Sequence, residues 1–153
     1  MIDHNAWPVE GYAALFGVAD LEGDVVRAGA FRDSLARASS IPMLVGHDPR
    51  LVAGAWSGFE EDARGLHVQG RILRSAPAGG LAMRLMQRGV DGLSIGFRTR
   101  ASRALTAGRE LVAVDLIEIS IVPTPMAPRA RFARSNTESA RFARINTTER
   151  TMT

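Results

Sequence analysis

A chain of 153 residues, 46% hydrophobic and 23% charged, is long enough for one globular domain with a core and a short tail. It contains no cysteine, which excludes disulfides, thiolate nucleophiles and cysteine-ligated zinc. Because no apolar run approaches the roughly 20 residues of a membrane span and the N-terminus lacks the pattern of a signal peptide, we expect the chain in the cytoplasm of the producing cell.

The first half of the chain shows the hydrophobic spacing of several strands and one helix. Residues 11–17 form a short apolar segment closed by a glycine, which predicts a first strand. Phe31 and Leu35 lie four residues apart, and this spacing predicts a helix over residues 28–38. Three further strands are predicted at residues 43–45, 51–59 and 65–73.

The second half repeats this mixture of helix and strand. A helix is predicted over residues 78–88, with Gly89 as its C-cap, followed by a strand around Ser94. Residues 110–122 are dense in β-branched side chains and predict a long strand, which Pro123 ends. Six or seven strands and two or three helices indicate a mixed α+β, mainly β fold, a barrel or sandwich with helices packed outside.

The last part of the chain differs in charge and contains a repeat. Up to Pro128 there are 13 arginines against 14 acidic residues, a net charge of −1, whereas residues 129–153 carry 6 arginines against 2 acidic residues, a net charge of +4. The unit A-R-F-A-R-S-N-T-E recurs ten residues later as A-R-F-A-R-I-N-T-T-E. We therefore predict a domain over residues 1–128 and a flexible basic tail over residues 129–153. The tail is either a disordered extension or a docking or cleavage peptide anchored on Phe132 and Phe142.

Ser94 is the first candidate for chemistry. It lies in the sequence G-L-S-I-G-F, between two glycines that would let another chain approach its hydroxyl closely. A plain structural alternative is a glycine-rich strand in which Ser94 bonds only to backbone. The pattern G-x-S-x-G also matches the nucleophile elbow of α/β-hydrolases, but that motif needs a helix after the serine and a histidine later in the chain. Neither follows here, which excludes the elbow.

A serine nucleophile needs a base, and without cysteine or lysine that base must be a histidine. His4 lies close to the N-terminus, and His67 lies in an alternating strand, where a half-exposed structural role is expected. His47 directly follows the apolar strand at residues 43–45. It would therefore be held at a strand end, where functional sites are commonly built.

The base in turn needs a carboxylate to orient it. Glu118 lies within the apolar segment L-I-E-I-S, where an unpaired carboxylate would be costly, so a partner such as an imidazole is expected. A glutamate facing water from an edge strand is the alternative. Asp115, on the opposite face of the same strand, is the second candidate for this role.

Six sequence blocks resemble the prohead proteases of tailed phages, a serine protease family distantly related to the herpesvirus assemblins. The resemblance covers most of residues 11–128. The blocks are G-Y-A-A-L-F-G, G-D-V-V before G-A-F, M-L-V-G-H-D-P, G-L-H-V-Q-G, G-L-S-I-G-F and L-I-E-I-S-I-V-P-T-P.

The resemblance implies an assemblin-like β-barrel surrounded by helices and a serine endopeptidase without cofactor or metal. It implies that Ser94 is the nucleophile and His47 the base. In assemblins the third member is a second histidine. This chain has none after Ser94, and Glu118 stands in the corresponding region. By analogy, the oxyanion donors are expected among the backbone N–H groups of residues 124–127.

The resemblance also implies partners and a location. The expected substrates are the scaffolding segment of the major capsid protein and the protease itself, inside the assembling prohead in the bacterial cytoplasm. It is compatible with a homo-oligomer and implies binding neither to a membrane nor to nucleic acid. The rival interpretation is a non-catalytic assembly factor that binds shell protein or nucleic acid through its basic tail, and a small esterase is a third.

Overall fold

The structure, a computed structural model, describes residues 4–135. Most of these residues lie in strands, which confirms the predicted α+β, mainly β class. The elements in chain order are β1 (Ala6–Leu15), β2 (Asp24–Val26), α1 (Arg32–Arg37), β3 (Ile41–Val45), β4 (Asp48–Glu61), β5 (Gly65–Leu73), α2 (Gly79–Gln87), β6 (Gly92–Leu105), β7 (Gly108–Val122) and β8 (Phe132–Arg134).

All eight described strands belong to one sheet, and β7 is its central strand. The sheet has the order β2-β7-β3-β4-β5-β1-β8, with β6 paired to β7. β3 runs parallel to β7, with Leu44 opposite Ser120, and β6 runs antiparallel to it, with Ser94 opposite the same Ser120. The predicted serine strand and the strand that precedes His47 therefore flank the same short stretch of β7.

The segment 130–132 closes the sheet on itself. β8 pairs with β1, while Arg131 bridges to Gly92 at the start of β6. The Leu93 N–H donates a 2.8 Å hydrogen bond to the Ala130 carbonyl. The sheet therefore runs from β6 through β7, β3, β4, β5, β1 and β8 back to β6, which is the barrel that the family resemblance implies.

The interior of the barrel is filled by large side chains that contact no solvent. Trp56, Met43 and Ile119 are each 0% exposed, and the Trp56 indole donates a 3.2 Å hydrogen bond to the Ile119 carbonyl. Phe132 packs edge-on against Trp56, with ring centroids 6.2 Å apart. These contacts fix β7 and β8 to the rest of the sheet, because close-packed aromatic side chains tolerate little displacement.

The two described helices lie outside the barrel. α2 turns Ala82 and Met83 into the core and contacts β4 and β5, and α1 contacts β7. Neither helix of the described part of the chain is long and apolar enough to cross a membrane.

The barrel extends beyond the boundary predicted at Pro128. Residues 129–135, assigned to the flexible tail, include β8 and the buried Phe132. A three-residue strand with one large apolar side chain has no periodicity to detect, and its partner β1 lies at the other end of the chain. β8 also raises the strand count to eight, one above the predicted range. The second copy of the repeat lies outside the described residues.

Candidate active site

His47 lies in a tight turn between β3 and β4. Val45 pairs with Asp48, which leaves Gly46 and His47 as a two-residue loop. Both have positive φ, 63° and 62°, as a type I′ hairpin turn requires. His47 is the only described residue other than glycine with positive φ. A strained backbone at a histidine is the kind of departure that functional sites retain.

Two groups of β7 hold His47 in place. Its backbone N–H donates a 2.9 Å hydrogen bond to Ser120 Oγ, and its ring Nδ1 contacts Glu118 Oε1. The imidazole is therefore fixed through both its backbone and its ring. Its side chain stays 44% exposed, and the other ring nitrogen forms no hydrogen bond within the described residues.

Glu118 is a buried carboxylate with both oxygens engaged. The residue is 7% exposed; one oxygen contacts His47 and the other accepts a 2.8 Å hydrogen bond from Ser120 Oγ. Gly96, its cross-strand partner on β6, makes room for it, because a Cβ on Gly96 would lie 2.3 Å from Glu118 Oε1. Burial with two polar partners satisfies the carboxylate and fixes its direction.

Ser94 lies on the other side of β7. It is 7% exposed, and its Oγ accepts a 2.9 Å hydrogen bond from the Met126 N–H. Residues directly opposite each other in a sheet share a face, so Ser94, Ser120 and Glu118 lie on one face of β6 and β7. His47 reaches this face from the β3 side. Among the described residues no hydrogen bond joins His47 to Ser94, and such bonds commonly form only when substrate is bound.

The other sequence candidates lie elsewhere. Asp115 pairs with Arg37 at 2.9 Å and Arg100 at 3.6 Å beside α1, away from His47. His67 packs edge-on against the Tyr12 ring and its Nε2 lies 3.9 Å from Glu10, which is the expected structural role. His4 is exposed at the start of the described residues.

Sequence reasoning missed Ser120. The strand pattern contains Ser120 but assigns it no role, whereas in the structure its hydroxyl joins the His47 backbone to the Glu118 carboxylate. A signal was available: the spacing E-I-S puts Ser120 two residues from Glu118, on the same strand face. Met126, by contrast, falls within residues 124–127, where a backbone donor was expected.

A second carboxylate adjoins His47 in sequence, that of Asp48, and it is paired with Arg50. Asp48 accepts hydrogen bonds from the Arg50 backbone, at 2.9 Å, and from its guanidinium, at 3.0 and 3.1 Å. The guanidinium bonds, followed by the backbone bond, hold the pKa of Asp48 below its ordinary value. Asp48 is therefore directed to Arg50, and Glu118 is the carboxylate that faces the imidazole. No cluster of the described residues has three groups suited to holding a metal ion.

A hydroxyl, an imidazole and a buried carboxylate beside one central strand are the groups that serine hydrolases assemble on many different folds. The whole sequence agrees with that class. The chain belongs to the caudovirus prohead serine protease family, whose sequence profile matches residues 2–145. The resemblance found in the sequence is thereby confirmed.

One curated relative is the prohead protease of Enterobacteria phage HK97, 31% identical over 130 residues. The alignment covers 81% of this chain, which spans only 58% of the length of that relative. Among solved structures, the protease of Kaposi's sarcoma-associated herpesvirus matches with a TM-score of 0.62 at 16% identity, covering 91% of this chain and 69% of that one. The capsid assembly protease of bacteriophage T4 matches with a TM-score of 0.58 at 11% identity, covering 75% and 80%. These two structures show the shared assemblin-like fold.

Proposed function

We propose that this chain is a serine endopeptidase that cleaves the scaffolding segment of the major capsid protein, and itself, inside the assembling prohead. The observation that carries the proposal is the contact of His47 with the buried carboxylate of Glu118, on the strand directly beside Ser94. Membership of the prohead serine protease family supports the substrate class.

In the proposed mechanism the Ser94 hydroxyl attacks the scissile carbonyl. His47 Nδ1–H donates to the Glu118 carboxylate, which leaves Nε2 unprotonated to accept the Ser94 proton. Glu118 stabilises the imidazolium that forms. His47 then gives the proton to the leaving amine, and a water molecule hydrolyses the acyl-enzyme by the same route in reverse.

The Met126 N–H is proposed as an oxyanion donor. Its nitrogen lies 2.9 Å from Ser94 Oγ, close enough to reach an oxygen that develops on a carbon bonded to Ser94 Oγ. Its neighbour Pro125 has no N–H to offer, and Pro125 is held against Gly92, where a Cβ would lie 2.9 Å from the proline ring. A backbone donor fixed in this way stabilises the developing charge without reorganising.

Family membership favours a polypeptide over a small ester as substrate. The site is most exposed at His47, whose side chain is 44% exposed, whereas Ser94 and Glu118 are each 7% exposed. An extended chain that approaches from the His47 side could bind beside the sheet through backbone contacts.

Ser94→Ala, co-expressed with the capsid protein of the same genome, tests the proposal. Ser102→Ala is the matched control, because Ser102 is an exposed serine of the same strand. We expect the wild-type and Ser102→Ala proteins to shorten the capsid protein by mass spectrometry, and Ser94→Ala to leave it intact. Cleavage by Ser94→Ala would exclude Ser94 as the nucleophile. Particles that assemble with uncleaved capsid protein in all three cases would favour the non-catalytic assembly factor.

A further inference from the structure

The pentapeptide A-R-F-A-R occurs twice, at residues 130–134 and 140–144. The first copy closes the barrel between β1 and the start of β6. We call this position of the sheet the β8 slot. The second copy lies outside the described residues, and the two copies are identical in all five side chains.

Backbone hydrogen bonds hold the first copy on both sides of the slot. A chain of any sequence could form them, because they involve only N–H and C=O groups. From the β1 side the bonds are Tyr12 N–H to Arg131 O, 3.1 Å, and Ser135 N–H to Pro8 O, 2.9 Å; from the β6 side they are Leu93 N–H to Ala130 O, 2.8 Å, and Phe132 N–H to Asp91 O, 2.9 Å.

Side chains make the slot selective. Phe132 is 4% exposed and packs against Trp56, and Ala130 is 0% exposed. The Arg131 guanidinium donates a 2.7 Å hydrogen bond to the Asp91 carboxylate, and the Arg134 guanidinium lies 4.1 Å above the centre of the Trp7 ring. All of these contacts come from the pentapeptide itself, so the slot recognises alanine, arginine, phenylalanine and arginine at fixed positions.

The backbone of the residue that occupies the slot lies very close to β1 at Gly11. A Cβ on Gly11 would lie 2.2 Å from the Arg131 carbonyl oxygen. Since the second copy has the same residues, it could satisfy this geometry and form the same selective contacts. Ile145 would replace Ser135, which contributes its backbone N–H to the slot. Two bonds would not be reproduced, from Ala130 N–H to Ala127 O and from Arg131 Nε to Pro128 O, because they join the first copy to the residues just before it.

We propose that the β8 slot binds either copy of the repeat, and that residues 140–145 of the same chain exchange with residues 130–135. The exchange lengthens the connection after β7 from residues 123–131 to residues 123–141, a little over a doubling. Loop closure disfavours that doubling by about threefold in the equilibrium, and the two hydrogen bonds that only the first copy forms favour the first copy by about a further five- to tenfold. The first copy would therefore be the major occupant, and the second copy a minor alternative that takes the slot when the first leaves it.

Phenylalanine substitutions test the exchange in the full chain. Phe142→Ala leaves the folding equilibrium constant nearly unchanged. Phe132→Ala lowers it only about 15- to 30-fold, because the second copy takes the slot with the longer connection and without the two hydrogen bonds of the first copy. The double substitution Phe132→Ala with Phe142→Ala lowers it by about two orders of magnitude or more, as expected when a buried phenylalanine is lost without replacement. Urea unfolding followed by tryptophan fluorescence measures all three. Equal loss in Phe132→Ala and the double variant would overturn the proposal.

A deletion gives the second test and does not depend on a destabilised variant. Removal of residues 130–139 joins Arg129 directly to Ala140, so the second copy enters the slot with the connection of the first. The urea midpoint should equal that of the wild-type chain, and a midpoint as low as that of the double variant would overturn the proposal. The midpoint of Phe132→Ala should also be independent of protein concentration. A rise with concentration, together with dimers in size-exclusion chromatography, would show exchange between chains and contradict exchange within one chain.

Discussion

Glu118 connects the parts of the candidate site at the scale of single residues. Its carboxylate contacts the His47 ring and accepts a hydrogen bond from Ser120 Oγ, which in turn accepts one from the His47 backbone. The three residues form a closed set of polar contacts, in which Glu118 and Ser120 are buried and the His47 side chain is partly exposed. A small change in this set should therefore alter chemistry more than stability.

Glu118→Gln keeps the shape of the side chain and removes its charge. In the proposed mechanism the imidazolium would then lose its counter-ion, so we expect kcat to fall by roughly 10²–10⁴-fold. Asp115→Asn is the control on the same strand and should leave kcat unchanged, because Asp115 pairs with Arg37 and Arg100. Cleavage of a peptide from the capsid protein measures both. A larger effect of Asp115→Asn would assign the role to Asp115.

Gly96→Ala tests the position of the carboxylate without changing any polar group. The new methyl group would lie 2.3 Å from Glu118 Oε1 and would push the carboxylate away from His47. We expect at least about tenfold lower kcat in a folded protein, since misplacement of a catalytic group by about 1 Å can cost a hundredfold. Gly80→Ala is the control, because a Cβ there meets only the end of the Arg84 side chain at 3.5 Å. Full activity of Gly96→Ala would show that the position of Glu118 is unimportant.

At the scale of elements, the turn between β4 and β5 is joined to β1 by a titratable contact. The Tyr12 hydroxyl donates to Asp62 Oδ2, and the N–H groups of Arg64 and Gly65 donate to Asp62 Oδ1 at 2.7 and 3.1 Å. The hydrogen bond from Tyr12 is the largest cause that holds the pKa of Asp62 below its ordinary value of 3.8, and the two backbone hydrogen bonds lower it further. The contact therefore favours the ionised carboxylate in the folded protein.

The lowered pKa of Asp62 fixes the sign of a pH dependence. Since the pKa is lower in the folded state than in the unfolded state, the stabilisation is complete above the unfolded value and is lost as the pH falls through the folded value. The melting temperature of the wild-type chain should fall more steeply between about pH 4 and pH 2 than that of Asp62→Asn. Tyr12→Phe should show an intermediate slope. Parallel curves for all three proteins would contradict the assigned contact.

Most elements could be predicted from the sequence because their signals are local. Alternating side chains predicted β5 with its observed bounds, and the spacing in α2 located that helix within one residue at each end. The cost of a buried carboxylate predicted a partner such as an imidazole for Glu118, and in the structure His47 makes that contact. β8 could not be found in this way, because its position depends on contacts with Trp56 and β1, far away in sequence.

At the scale of the whole molecule, the barrel depends on residues after Pro128. A chain that ends at Pro128 lacks β8 and leaves Trp56 without Phe132, whereas a chain that ends at Ser139 keeps both. We expect the shorter chain to lose at least about 3 kcal/mol of unfolding free energy and the longer one to match the full chain in urea unfolding. Equal stability of all three chains would restore the domain boundary at Pro128.

The most direct test of the central claim is covalent labelling of the nucleophile. A preparation that cleaves the capsid protein is treated with a fluorophosphonate, and the modified residue is located by peptide mass spectrometry. We predict one adduct, on Ser94, and none in His47→Asn, a substitution suited to the turn because asparagine tolerates the positive φ of 62°. An adduct on another residue, or an active preparation that stays unlabelled at Ser94, would contradict a mechanism built on Ser94, His47 and Glu118.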